Sequence, residues 1–369
     1  MATGLRILFL DSWLRDRSRG SGSAVAIAGL TRGLESLGHE VTVLRPDRVF
    51  PSLDLTRLFY NAGLGRRLAG HNPDLVVGFD FDGCLLGTGA SRAPYVVALK
   101  GVMADEVRFE TGASLRRFQL LAPLEARNAR SADAVICTSV YSARQATRAY
   151  GIPAGRTRVV PEGIDVSAWS SVSRQAAVLR ADGGRQTTIL SVARQYRRKN
   201  TASLLRAVGR LRVARPDVRL RIVGEGPELG RLRALTDQLG LVDSVHFVGS
   251  VDGIEALQRE YASADVFCLP SLQEGFGIVF LEAMAAGLPI VATRAGAAPE
   301  VVPHGEVSLL VDPDDEEALA SALERLLADA GLCRSLGQAG ARSWRSYDWP
   351  IVARRFLSAC FPGGSITAP

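Results

Sequence analysis

Lysine is almost missing from this sequence: of its 44 lysine and arginine residues only Lys100 and Lys199 are lysines. Histidine is scarce as well, with four residues, and the five cysteines (Cys84, Cys137, Cys268, Cys333 and Cys360) are odd in number. Widely spaced and mostly set in apolar runs, the cysteines form neither a disulfide framework nor a zinc cluster and read as reduced core residues. His39, His71, His246 and His304 sit at turns or strand edges and read as structural. No stretch approaches the roughly 20 uninterrupted apolar residues that cross a bilayer. Residues 1–12 read as a strand rather than a signal peptide, so the expectation is a cytoplasmic protein. Aromatic residues make up 7% of the chain. They do not interleave with the arginines as a single-strand nucleic-acid platform requires, which sets nucleic acid aside.

What is present is ample apolar material: 369 residues, 47% hydrophobic and 22% charged, enough for one or two sizeable cores. The formal charge is +6, and it is uneven. Residues 1–170 hold 21 basic and 16 acidic residues, whereas residues 171–369 hold 23 and 22. The surplus includes Arg15, Arg17 and Arg19 in one loop and Arg116, Arg117, Arg127 and Arg130 in a helical region. Such a surface suits anionic substrates or peripheral contact with an anionic membrane, and equally a solvated exterior. Arginine's planar fork does not replace a compact ammonium, so the two surviving lysines mark places where the ammonium itself can matter.

Short apolar runs alternate with helical patterns along the chain. Residues 5–11 (LRILFLD) form a near-continuous apolar strand, residues 24–37 have helical spacing, Gly38 and His39 break it, and residues 41–44 begin the next strand. This is the grammar of a parallel sheet covered on both faces. Further strands are expected at 75–78, 95–99, 134–138 and 158–160. A polar, serine-rich stretch at 167–184 reads as a linker holding a short helix. The pattern then restarts, with strands at 187–192, 219–223, 244–248, 266–269 and 289–292 and helices at 200–214 and 228–239. The prediction is an α/β protein of two Rossmann-like domains, residues 1–168 and 169–346, with a helical tail at 347–369. Binding is expected at the carboxyl ends of the strands, in a cleft between the domains.

The segment richest in chemistry is residues 269–293, LPSLQEGFGIVFLEAMAAGLPIVAT. A strand ends at Leu269, a loop carries Glu274, Gly275, Phe276 and Gly277, and a helix starts at Ile278 and runs to about Ala286, where Gly287 and Pro289 stop it. The first amides of that helix, at Gly277, Ile278 and Val279, have no intrahelical partners, and with the helix dipole they offer an anion site that a diphosphate can approach over glycine. Glu282, one turn further on the same face, can accept hydrogen bonds from the vicinal hydroxyls of a ribose. Glu274 can bind hydroxyls on the other side of the phosphates. Arg194 and Lys199, in SVARQYRRKN, follow the strand at 187–192 and supply cations to the same place. Each charge-assisted contact there contributes about 1.5–3 kcal/mol. Gly20, Ser21, Gly22 and Ser23 form a glycine-rich turn after the first strand, fit either to cover phosphates or to serve as an ordinary loop.

These residues carry a resemblance. Glu274 and Glu282 within EGFGIVFLEAMAAGLPIVAT, together with Arg194 and Lys199, VVPEGIDV at 159–166 and VGEGPEL at 223–229, look like the family 4 retaining glycosyltransferases of the GT-B fold. The match spans almost the whole chain and is strongest over 158–299. The resemblance implies donor binding mainly by the second domain, catalysis without a metal or other cofactor, retention of anomeric configuration, and a C-terminal helix that returns to the first domain. It makes Glu282 the ribose residue, Glu274 the residue for the donor sugar's hydroxyls, Arg194 and Lys199 the diphosphate cations, and Gly277, Ile278 and Val279 the donors of amides. Gly224, Glu225 and the segment 248–251, ending at Val251, resemble base-binding segments. Retention without an evident nucleophile suggests front-face attack, with the departing diphosphate taking the acceptor's proton.

Two departures stand out against that family. Lys100 and Gly101 occupy the place where many relatives carry a histidine, so Lys100 is a candidate contact to a donor hydroxyl or the leaving group. Glu162, in VVPEGIDV, stands where asparagine is commoner, which alters a contact at the domain junction. Asp105 and Glu106, in KGVMADEVRFE, can meet the acceptor or lie on an exposed helix. Asp80 and Asp82, in VVGFDFDG, fit acceptor contact or capping equally. The resulting expectation is a metal-independent enzyme that moves a hexose-type sugar from a nucleoside diphosphate to the hydroxyl of a small molecule, glycan or lipid. A catalytically silent nucleotide-sugar-binding protein and a sugar-phosphate synthase or phosphorylase on the same fold are the alternatives the residues leave open.

Overall fold

A computed structural model describes residues 4–13, 22–86, 93–180 and 186–361. It divides the chain into two compact units, one of residues 1–163 with 348–369 and one of residues 164–347. The junctions therefore fall five residues before the 168/169 boundary expected from sequence and one after the boundary at 346. Arg15, Arg17, Arg19, Gly20 and Ser21 lie outside the described residues.

The first unit runs β1 (Arg6–Leu10), α1 (Gly22–Ser36), β2 (Glu40–Leu44), α2 (Leu53–Leu68), β3 (Leu75–Phe79), β4 (Tyr95–Leu99), α3 (Met103–Glu106), α4 (Gly112–Ser131), β5 (Ala134–Cys137), α5 (Val140–Tyr150) and β6 (Thr157–Val159). Its six strands are all parallel, in the order β2-β1-β3-β4-β5-β6. The second unit runs α6 (Val166–Trp169), α7 (Val172–Arg180), β7 (Thr188–Val192), α8 (Thr201–Ala214), β8 (Arg219–Val223), α9 (Leu229–Gln238), β9 (Val245–Gly249), α10 (Ile254–Ser263), β10 (Val266–Leu269), α11 (Ile278–Ala285), β11 (Ile290–Thr293), α12 (Ala298–Val301), β12 (Ser308–Val311), α13 (Glu316–Ala328) and α14 (Ala330–Ser343). Its order, β12-β11-β10-β7-β8-β9, is the doubly wound arrangement with a switch point between β7 and β10. In the first unit the reversal lies between β1 and β3.

The central strands are buried on both faces, as apolar runs such as LVVGF and TILSV require. The stretch at 167–180, read from its serines as a linker, is instead part of the second unit's core. Trp169, Val172 and Ala176 are buried in the cluster that holds Phe267, Phe280 and Leu281. The serines point outward on short helices whose apolar positions a compositional reading overlooks. After α14 the chain leaves the second unit beside its entry point, with the Ile164 amide donating to the Tyr347 carbonyl at 2.9 Å. The last helix, α15 (Trp349–Cys360), then packs in the first unit against α1.

That packing depends on glycine. A Cβ on Gly29 would lie 2.0 Å from the Trp349 ring, and one on Gly33 would lie 2.7 Å from the Trp349 carbonyl oxygen. Gly29→Ala therefore overpacks the α1–α15 contact and lowers stability by about 1–3 kcal/mol. Gly63→Ala, in α2 where an added Cβ meets nothing within 4 Å, leaves it unchanged or raises it by up to about 1 kcal/mol. Urea midpoints of the two variants measure both; a Gly29→Ala midpoint at or above that of the parent protein would contradict the packing account.

Candidate active site at the strand ends

The crevice at the β7/β10 switch point gathers the second unit's charged residues. After β7 the chain passes Arg194, Gln195 and Tyr196 into a tight turn at Arg197–Lys199, which ends on Asn200 in the left-handed conformation at φ 53°. After β10 it passes Ser271 and Glu274 to Gly277, whose φ of 88° starts α11. The two loops are stitched together by the Leu272 amide, which donates to the Arg198 carbonyl at 2.7 Å. Across this stitch Lys199 Nζ meets Glu274 Oε1 at 2.6 Å, and the Ser271 hydroxyl donates to the same oxygen at 2.8 Å. Both charged side chains are largely enclosed, at 15% and 7% exposed.

Glu274 is also fixed from below. Its carbonyl accepts from the Ala297 amide at 2.9 Å, and a Cβ on Gly296 would stand 2.4 Å from its backbone nitrogen, so only glycine lets that loop approach. On the β8 side, a Cβ on Gly224 (φ 110°) would stand 2.1 Å from the Ala193 carbonyl oxygen. The Gln195 amide donates to the Glu225 carbonyl at 2.9 Å, which keeps Arg194 beside the VGEGPEL turn. The Glu225 side chain is exposed next to Gly249, and Val251 is half-buried against the core. Arg194 lies over the Tyr196 ring at 5.8 Å, and Arg198 at 4.8 Å.

Glu282 sits within α11, one turn beyond the open amides of Gly277, Ile278 and Val279. Its Oε2 accepts a hydrogen bond of 2.7 Å from the hydroxyl of Tyr261, a fully buried residue of α10 that motif reading missed because it looks like any core aromatic. Burial pushes the Glu282 carboxyl up to about 7, and the Tyr261 hydrogen bond pulls it partly back. Phe276 needs correction as a site side chain. It is buried, with its ring 5.9 Å from that of Tyr347, and packs in the core; only its backbone belongs to the loop. Gln195, Ser271 and Arg198 are further residues that the sequence reading did not single out.

In the first unit the candidates at the strand ends are occupied by one another. Lys100 is not a free cation: its ammonium contacts both carboxylate oxygens of Glu162, at 2.9 and 3.1 Å, with side chains 8% and 7% exposed. The two departures from the family pattern are thus partners. Asp82 is turned fully inward, taking bonds from the Ser12 amide at 2.8 Å, the Ser12 hydroxyl and Asn61, with the Arg57 guanidinium 3.5 Å away. Asp80, at φ 55°, accepts from the Lys100 amide at 2.9 Å and the Trp13 indole at 3.0 Å, and burial holds its carboxyl above the usual carboxylate range. Asp105 is held by the Tyr141 hydroxyl at 2.6 Å and by Arg108 at 3.1 Å. As acceptor contacts, Asp80, Asp82 and Asp105 are corrected: their carboxylates organise loops. Glu106 packs its carboxylate against Gly101, where a Cβ would come within 2.5 Å. Gly22 and Ser23 are the first residues of α1. Among the described residues no group of three histidine, cysteine, aspartate or glutamate side chains is arranged to hold a metal.

Two family descriptions match this chain: "Glycosyltransferase Family 4" over residues 20–168 and "Glycosyl transferases group 1" over residues 179–343. The MMP α-(1→4)-mannosyltransferase of Mycolicibacterium hassiacum is 31% identical across 96% of this chain and 97% of its own. The GDP-mannose-dependent α-(1-6)-phosphatidylinositol monomannoside mannosyltransferase of Mycolicibacterium smegmatis is 35% identical across 59% of each. Sucrose-phosphate synthase from Thermosynechococcus elongatus superposes with a TM-score of 0.80 at 24% identity, covering 96% of this chain and 98% of that one. Anabaena HepE in complex with UDP and glucose superposes with a TM-score of 0.76 at 23% identity over the same shares.

Two stability measurements check the geometry. Removing one partner of an enclosed ion pair strands the other, so Lys199→Met and Glu274→Gln each destabilise, while the double variant recovers part of the loss, a coupling of about 1–3 kcal/mol. Additive effects in urea unfolding would show that the pair is solvent-screened. For Glu282, a carboxyl raised in the folded state binds its proton more tightly there than in the unfolded chain, so stability falls as pH rises from about 4.5 to about 7. Glu282→Gln removes that contribution, and its stability relative to the parent should be higher at pH 8 than at pH 5. An unchanged difference between the two pH values would contradict a desolvated carboxyl.

Proposed function

This chain belongs to the family 4 glycosyltransferases of the GT-B fold, and from that premise we propose that it transfers a hexose from a nucleoside diphosphate sugar to an acceptor hydroxyl with retention of configuration and without a metal. The observation that carries the site assignment is the Lys199–Glu274 pair, 2.6 Å long, in the loops that flank the open amides of α11. On this reading the donor's diphosphate lies over the amides of Gly277, Ile278 and Val279, with Arg194 and Lys199 balancing its charge. Lys199 then serves two anions, the Glu274 carboxylate and the phosphate. Glu274, steadied by Ser271, turns its remaining acceptor capacity to the sugar's hydroxyls. Glu282, oriented by Tyr261, holds the ribose.

In the transfer step the bond from the anomeric carbon to the diphosphate breaks and the acceptor oxygen bonds to that carbon on the same face. The acceptor's proton passes to the departing phosphate oxygen. Charge accumulates on the diphosphate as it leaves, so Arg194 and Lys199 stabilise the transition state more than the bound donor. GDP-mannose, the donor named for the Mycolicibacterium smegmatis relative, is the first donor to try, and UDP-glucose, bound by HepE in a further complex, is the second. The enzyme is read as cytoplasmic; among the described residues no helix is long and apolar enough to cross a membrane.

Thermal-shift titration with GDP-mannose, UDP-glucose and the corresponding free diphosphates tests donor binding, because a ligand of the native state raises the melting temperature by mass action. One donor should shift it selectively. Glu282→Ala and Lys199→Ala should weaken that binding at least tenfold, about 1.4 kcal/mol. Unchanged affinity in both variants would remove these residues from the donor site.

A further inference from the structure

We propose that Gln195 is a positioning residue for donor binding: it sets the placement of Arg194 and Lys199 by tying together both ends of the loop that carries them. Gln195 is fully buried, although it stands in the polar run RQYRRKN, whose other members are all at least partly exposed. Its side-chain amide is used at both ends. Nε2 donates to the Ala193 carbonyl at 2.8 Å, and Oε1 accepts from the Thr201 hydroxyl at 2.8 Å. Ala193 directly follows β7 and Thr201 is the first residue of α8, so one side chain spans the neck of the loop 194–200. The main chain of the same residue clasps the neighbouring loop. Its N–H donates to the Glu225 carbonyl and its own carbonyl accepts from the Glu228 amide, each at 2.9 Å. A Cβ on Gly226 would stand 2.5 Å from the Gln195 carbonyl oxygen, so glycine lets the two loops lie this close.

Filling space does not call for an amide here. An apolar side chain of similar volume would occupy the same pocket of core without the cost of taking a polar group out of water. What the amide adds is direction. Asparagine is one methylene too short to reach from Ala193 to Thr201, and glutamate would set a carboxylate oxygen against the Ala193 carbonyl. Arg194 immediately precedes Gln195, and Lys199 stands two residues before Thr201, so each cation is anchored close to a bond that this amide makes. These are the two cations that the donor-site reading assigns to the diphosphate, and the role of Gln195 rests on that reading. Misplacing an interacting group by about 1 Å costs on the order of a hundredfold. A group that fixes both cations from a buried position therefore acts on the outer phosphate without touching it.

Calorimetric titration with GDP and GMP, and with UDP and UMP as the second pair, tests this without an acceptor. The ratio of diphosphate to monophosphate affinity reads contacts to the outer phosphate, whereas general damage to the fold lowers both affinities and leaves the ratio alone. Gln195→Met keeps the length of the side chain and removes its bonds. It should lower the ratio about fivefold or more, with the monophosphate affinity within about twofold of the parent's. Thr201→Val removes only the hydroxyl and should act in the same direction, and the double variant should be no worse than Gln195→Met alone, because both cut the same tie. If Gln195→Met does not fold, Thr201→Val decides by the same ratio. Lys199→Ala, which removes a cation outright, is the reference. A ratio lowered by Lys199→Ala but unchanged in Gln195→Met and Thr201→Val would overturn the role of Gln195 alone, and so would equal losses of both affinities. A ratio unchanged in Lys199→Ala as well, or no binding of either diphosphate by the parent, would overturn the donor-site reading and this role with it.

Discussion

A parallel sheet delivers every strand's carboxyl end to one edge, and where the winding reverses, two neighbouring loops diverge and leave a crevice that the backbone cannot fill. Both units of this protein obey that constraint, and nearly every polar residue discussed above lies at such an edge. In the second unit the loops after β7 and β10 must be held a few ångströms apart while carrying charge. Glycine at 224, 296 and 277 provides the close approaches and the left-handed turn, and the bond from the Leu272 amide to the Arg198 carbonyl ties the loops together. Only then can a lysine from one loop reach a glutamate from the other.

The two edges spend their charges differently. At the first unit's edge the polar groups neutralise one another within the fold: Asp82 with Ser12, Asn61 and Arg57, Asp80 with Trp13 and the Lys100 amide, Lys100 with Glu162. Enclosed ionic groups of this kind contribute little net stability relative to apolar packing, but each is costly to leave unpaired, so the network fixes one loop arrangement. Arg57 shows how tightly, lying 3.8 Å from the Phe81 ring centroid and 4.5 Å from that of Trp13. At the second unit's edge the groups retain capacity. The Lys199 ammonium, bonded to one oxygen of Glu274, keeps two further N–H groups, α11 has open amides, and Glu282 accepts from Tyr261 through Oε2. An edge whose carboxylates are taken up within the fold supports a scaffold, whereas one with open backbone amides can receive an anion.

Much of this was legible in the residues. Strands with continuous apolar runs, such as 95–99 and 266–269, were placed to the residue, because burial on both faces leaves no ambiguity of period. The loop and helix around Glu274 and Glu282 were legible from glycine and the helix stop at Gly287. What could not be read was partnership across sequence distance. Tyr261 precedes Glu282 by 21 positions, Glu162 follows Lys100 by 62, and neither spacing has a local signature. The same limit explains why acceptor contact and capping stood equal at Asp80 and Asp82. Carboxylates after a strand end look alike whether they face solvent or are folded inward, and the deciding residue, Arg57, belongs to a helix whose inward face was not identified. The stretch at 167–180 was expected as a linker holding a short helix, and its place in the core was missed for a different reason: its serines masked three buried positions at helical spacing.

The scarcity of lysine acquires a physical meaning from the two that remain. Both are held at a strand-end edge by one glutamate, with side chains 8% and 15% exposed, in a chain that otherwise uses arginine for its cations. An ammonium on a thin stem can enter a narrow space and present donors in several directions, whereas a guanidinium needs room for a planar fork and tends to lock two of its bonds onto a single carboxylate. At Lys100 the two contacts to Glu162 fill that role and leave the ammonium committed. At Lys199 a single short contact to one oxygen of Glu274 leaves two N–H groups to share with an incoming phosphate. Arginine at that position would compete for the carboxylate that the proposed sugar contact needs. On the proposed donor reading, lysine at 199 suits a cation that serves two anions, the Glu274 carboxylate and the phosphate.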